Sequence, residues 1–211
     1  MLRCNKKNRY DSMDDPSFRD KLKEKVIHVS RDLLRENGLS GLQARKVAEG
    51  AGCSVGTIYN LYGNLDTVII VTNSGTLRDL RDALLTVNNN GDTLVQRLDA
   101  LAMAYLDFAV ERNSEWRAVF EHPFAEKTVV PDWYSENQAE LFAIVEEILA
   151  PSIPGIEERR EAARALFGAV HGIVALALDE KLRAFDRPAT ERQIRFVTSV
   201  VGTGLARGAD A

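Results

Sequence analysis

The chain has 211 residues, 45% of them hydrophobic and 27% charged, with a formal net charge of −4. That length supports one sizeable core, or one core with a small appended domain. No apolar run reaches the roughly 18 residues of a bilayer span. The opening MLRCNKKNRYDSMDDP carries basic residues but no apolar segment of the kind a signal peptide needs. Two cysteines, Cys4 and Cys53, frame no disulfide scaffold, so a reduced, cytoplasmic protein is the simplest reading.

The charge is unevenly spread. Residues 1–62 hold 12 Lys/Arg against 8 Asp/Glu, and residues 63–211 hold 15 against 23. A basic end on an acidic body fits a nucleic-acid contact near the N-terminus, and equally a solvated tail.

In chain order the pattern is helical throughout, and no run alternates apolar and polar long enough for a sheet. Asp15-Pro16-Ser17 opens a first helix, with Pro where its missing N–H does no harm. Leu22, Val26, Val29 and Leu33 then mark one face, and Gly38 ends the helix. A second helix runs from about Gln43 to Gly50 with Val47 and Ala48 inward, and Gly52 supplies a left-handed turn. Ser54 is a good N-cap for a short third helix over about 55–61. Asn64 caps a fourth helix reaching about Val87, and NNNGD (Asn88 to Asp92) breaks the chain. Further helices are expected from Thr93 to Glu111, from Ser114 to Glu121 and from Asp132 to Leu149. The last two are expected at Glu157–Phe185 and Thr190–Arg207, and Ala125 to Pro131 reads as loop.

Two helices joined by a Gly turn, the second short with small residues on its first turn, make a helix-turn-helix. Its second helix is suited to a major groove, presenting N-terminal residues to base edges. Ser54, Gly56 and Thr57 allow close backbone approach, and Thr57 can place its methyl on thymine. Tyr59 and Tyr62 offer hydroxyls to phosphates, while Ile58 and Leu61 face the core. Arg45 can reach a guanine bidentately, and Lys46 suits a backbone contact. The competing reading is an ordinary all-α domain with Tyr59 and Tyr62 as rim aromatics.

Residues 26–70 resemble the N-terminal domain of the tetracycline-repressor (TetR) family of transcriptional regulators. RENG, KVAEGAGCSVGTIY and Tyr62 three residues after Tyr59 carry the resemblance. It implies an all-α protein. An N-terminal three-helix helix-turn-helix DNA-binding domain would be joined to a larger helical ligand-binding and dimerisation domain. The boundaries would be a tail over 1–16, the DNA-binding domain over 17–63 and the body over 64–211. Family DNA contacts fall at positions matching Arg45, Ser54, Val55, Gly56, Thr57, Tyr59 and Asn60. Gln43 stands where the family has Thr or Ser, and Leu65 and Asp66 stand where it has a phosphate-touching Lys. YNLYGNLD, EWRAVFEHP and LFGAVHGIVALALDEKL resemble the branch named for a Trp-His-Gly motif, with Val170 in place of the Trp. The implied partners are a near-palindromic double-stranded operator, a second copy of the chain and a small-molecule effector of unknown identity, with no membrane.

Glu157–Phe185 is rich in small residues and apolar on nearly all sides, so it is expected to be buried. With the last helix it forms either an intramolecular core or half of an intermolecular four-helix bundle. The resemblance favours the bundle, with Phe167, Ala169, Val170, Gly172, Ile173, Val197, Val200 and Val201 at the interface. Tyr105, Phe108, Trp116, Phe120, His122, Trp133 and His171 are candidate pocket residues, since a pocket wants apolar walls with a few polar groups. No arrangement of catalytic residues, phosphate loop or metal spacing appears. An enzyme is therefore not expected, nor a cofactor or metal. An all-α enzyme, or a helical interaction module without sequence-specific DNA binding, is the alternative reading.

Overall fold

The computed structural model describes residues 16–87, 93–123, 128–179, 181 and 185–209, with the side chains of 207–209 left aside. The expected tail with Asp15 and Cys4, the break at 88–92 and part of the 125–131 loop lie outside those residues. The described residues form nine α-helices: α1 Pro16–Gly41, α2 Ala44–Ala51, α3 Val55–Tyr62, α4 Leu65–Leu85, α5 Leu94–Glu111, α6 Asn113–Glu121, α7 Asp132–Leu149, α8 Ile156–Leu178 and α9 Arg187–Ala209.

The helices group into two compact units. One takes the chain to Thr76 with 114–130; the other takes 77–113 with 131–211. The contact boundary between these units falls within α4.

In the first unit, α1 turns Val26, Ser30 and Leu34 inward. Leu22 and Leu33 pack at the rim of that face. The sequence periodicity passed over Ser30 because it is polar. Its hydroxyl donates to Val26 O at 2.8 Å, which removes the cost of burying it. Val26 meets Val47, Ala48, Ala51, Ile58 and Val68 in one core cluster. Leu34, Leu42, Ile69 and Ala118 form a second. Gly38, at φ 61° and ψ −165°, breaks the helical geometry where the first helix was expected to end, and helical structure resumes to Gly41. Gly50 lets α1 and α2 approach: a Cβ there would lie 2.6 Å from Val29 Cγ1.

In the second unit, α9 lies along α5 and α8 packs on α7 and α9. Leu98, Leu106, Leu149, Val174 and Ile194 are among its buried residues. Thr93 and Gln96 cap α5 reciprocally, Thr93 N donating to Gln96 Oε1 at 2.9 Å. The expected run to Phe185 is shorter than predicted: α8 ends at Leu178. Asp179 is extended there and accepts from Lys181 N at 2.9 Å, a side-chain turn that competes with the helix. Next, α9 begins at Arg187 rather than Thr190, because Asp186 caps it through Ala189 N at 3.0 Å.

The expectation that α8 would be buried all round is corrected. Only 28% of its most apolar stretch is buried; by length and composition alone it is apolar enough to cross a membrane, a test that core helices of soluble proteins also pass. Leu176 is 60% exposed on it, and on α9 Phe196 is 71% and Val200 57% exposed.

Candidate functional site

The short helix α3 is set by local chemistry. The Gly52 φ of 73° turns the chain out of α2, with Cys53 N donating to Ala48 O at 2.9 Å. Ser54 then accepts from Thr57 N at 3.0 Å, and its hydroxyl shares a 2.9 Å bond with Thr57 Oγ1. Both hydroxyls thus serve the helix start, which leaves the Thr57 methyl for any apolar contact. Ile58 is fully buried and anchors the helix. Ser54, Gly56, Tyr59 and Asn60 are exposed, Val55 and Thr57 half-buried, and Arg45 and Lys46 of α2 exposed. Arg19 of α1 donates to Asn60 O at 3.3 Å, tying down the far end of α3. That residue was missed, and no local pattern reveals a partner 41 positions away.

Tyr62 is a correction. Its hydroxyl donates to Lys23 O at 2.9 Å, so the one proton a phosphate would need is engaged in the fold. Burial pushes its pKa up to about 12, which keeps it neutral. Tyr59, by contrast, keeps an exposed ring.

The departures at Gln43 and Leu65 have physical reasons. Gln43 does not cap α2; its Nε2 donates back to Ser40 O at 3.1 Å. Leu65 packs against both core clusters of its unit. Asp66 meets His122 Nε2 at 3.2 Å and Thr128 Oγ1 at 2.6 Å. Burial pushes the Cys53 thiol up, opposed by Lys25.

The expected pocket residues divide between the two units. Tyr105, Phe108, Trp133 and His171 lie in the second; Trp116, Phe120 and His122 lie in the first. Tyr105 Oη and His171 Nδ1 are 2.8 Å apart. Phe167 stacks on His171 at 5.4 Å and meets Tyr105 edge-on at 5.7 Å and Phe142 edge-on at 5.3 Å. Arg112 lies over the Phe108 ring at 5.1 Å. Trp133 is exposed and stands edge-on to the buried Tyr134. Trp116 is buried against Phe120 at 5.5 Å. Among the described residues no group of three or more His, Cys, Asp or Glu could hold a metal ion.

The expected interface set also splits. Val170 is buried within its own chain and Phe167 packs into the aromatic group just described, so both are withdrawn from the outer face. Ala169 and Val200 are exposed, and Gly172, Ile173, Val197 and Val201 half-buried. Gly168 and Leu176 are exposed too and were not singled out, although 168, 172 and 176 are spaced by four, the signal of one helix face. Between α8 and α9 the same side carries a groove of about 410 Å³ lined by Ile173, Ala189, Arg192, Gln193, Phe196 and Val197.

A three-helix head with a capped, small-faced helix presented outward has the helix-turn-helix fold, the class whose second helix enters a major groove in DNA-binding proteins. Residues 98–200 match the family model described as tetracyclin repressor-like, C-terminal domain. Those residues are a TetR-type C-terminal domain. That model describes the repressor-like domain in general and does not single out the Trp-His-Gly branch.

Solved structures share the fold. One is a protein of unknown function from Rhodococcus sp. RHA1, 19% identical over 89% of this chain and 94% of its own, at TM-score 0.65. A tetR-family transcriptional regulator from Streptomyces coelicolor is 15% identical, over 90% and 87%, at TM-score 0.64. A transcriptional regulator from Rhodococcus sp. Rha1 is 19% identical, over 86% and 96%, at TM-score 0.61. No curated protein matches the chain in sequence.

Proposed function

We propose that the chain acts in the cytoplasm as a homodimeric repressor that leaves a near-palindromic operator when a small molecule binds. The observation that carries the reading is the outward face of α3, where exposed Gly56, Tyr59 and Asn60 stand beside exposed Arg45 and Lys46. In this reading Arg45 and the Thr57 methyl read bases, and Tyr59 and Lys46 hold phosphates. Ser54, Val55, Gly56 and Asn60 complete the surface that enters the groove.

The dimer reading is supported by the exposed apolar residues Leu176, Phe196 and Val200, with exposed Ala169 and half-buried Gly172 on the same helix as Leu176. Apolar patches of this kind are costly to leave in water and mark interaction surfaces. A second copy related by a two-fold axis covers the same patch on both partners. The effector would meet the second unit at Tyr105, Phe108, Trp133 and His171, with Phe167 packed on the hydrogen-bonded Tyr105–His171 pair.

Selection of bound sequences from random DNA with the purified chain tests the reading. Recovery of a two-fold symmetric site supports it. Binding that does not discriminate sequence, or no retention at low salt, returns the chain to a helical interaction module.

A further inference from the structure

Helix α6 carries a carboxylate that a surface helix has no need to bury. Glu115, in its first turn, is 3% exposed. Arg35 Nε lies 3.1 Å from its Oε1 and Arg31 Nη2 3.7 Å, one turn apart on α1. Arg35 also reaches Asp32 at 3.7 Å. One turn along α6, Ala118 O accepts from Asn73 Nδ2 of α4 at 2.8 Å, and Ala118 sits in the cluster with Leu34. The apolar contact alone would dock α6. A buried ion pair is a poor source of net stability beside an apolar pair of the same volume, but it is directional. Guanidinium planes donate to a carboxylate in few geometries, so the pair fixes how α6 sits on α1. The same α1 holds the reading head, through Val26 on Val47 and Ile58 and through Lys23 O on Tyr62.

We propose that Glu115 is a positioning residue for operator recognition: gripped by Arg35 and Arg31, it makes α6 a working part of the DNA-binding unit. This rests on the DNA-binding reading, and the test separates the two.

The full chain is compared with Glu115→Gln, Arg35→Gln and the double variant on the selected operator and on scrambled DNA. Hydrogen exchange is followed over residues 113–121. The expected result is a roughly tenfold fall in the operator-over-scrambled ratio for Glu115→Gln, with faster exchange in α6. Adding Arg35→Gln should cause little further loss of that ratio. The double variant Glu115→Met/Arg35→Met, which fills the site with apolar side chains, should keep the fold and still discriminate poorly. The proposal is overturned if the ratio is unchanged, if the single effects simply multiply, or if the Met pair reads the operator as the wild type does. A Glu115→Gln chain that loses helicity and both affinities together would also overturn it. If the wild type itself fails to discriminate, the DNA reading falls, and unchanged exchange in Glu115→Gln then sinks the latch as well.

Discussion

Single side chains on α3 divide into those that serve the fold and those left to serve DNA. Tyr62→Phe should cost about 0.5–1.5 kcal/mol in urea unfolding, since Lys23 O loses its donor, and leave the operator-over-scrambled ratio intact. The folded pKa of Tyr62 is raised from 10.0 to about 12, so its neutral form is favoured by the fold. The stability it contributes is complete below pH 10 and is lost as pH rises from there through about 12. A denaturation series across that window should fall more steeply for the wild type than for Tyr62→Phe. Arg45→Ala should lower operator affinity by about 1–3 kcal/mol per half-site and relax preference at one base pair. Tyr59→Phe should weaken all DNA alike by about 0.5–1.5 kcal/mol. Equal losses on operator and scrambled DNA for Arg45→Ala would make it a backbone contact.

At the scale of elements, helix starts were the most legible part of the sequence. Ser54, Asn64 and Thr93 each accept from a backbone N–H three residues on, and such bonds are decided within one turn. What was misread depended on distance along the chain or on burial that composition alone does not decide. Tyr62 looked free because Lys23 lies 39 residues away. Residue Phe185 looked helical because no Gly or Pro announces the Asp179 turn. The burial of α8 was overestimated because an apolar stretch does not say which chain covers it.

Glycine substitutions test the packing directly. Gly50→Ala gains about 1 kcal/mol of helix propensity but drives a Cβ to 2.6 Å from Val29, so net destabilisation is expected. Gly202→Ala should cost more, because its Cβ meets Val95 Cα at 3.1 Å and backbone cannot rotate away. Gly172 has nothing within 4 Å. Gly172→Ala should therefore stabilise the isolated chain, while weakening association if a partner helix packs there. Thermal melts and dilution series read the two effects separately.

For the whole molecule, light scattering should give about twice the chain mass of 23.4 kDa. Val200→Glu places a charge on a face already exposed in one chain, so the fold should persist while the dimer weakens by several kcal/mol. A monomer in the wild type at micromolar concentration would remove the interface assignment. Two heads on a two-fold axis require half-site centres about 34–36 Å apart or multiples of that, which footprinting measures.

The placement of the uncovered face has a genetic consequence. Leu176 lies on α8, and Phe196 and Val200 on α9, all C-terminal to the reading head. A nonsense or frameshift allele that stops before Arg187 keeps the whole of α3 but loses α9 and half of the face. In the dimer proposed above such a product lacks much of the contact, so it should not poison mixed dimers. On that proposal early-stop alleles should be recessive, whereas missense alleles at Arg45 or Tyr59, which leave the proposed dimer face intact, should be dominant.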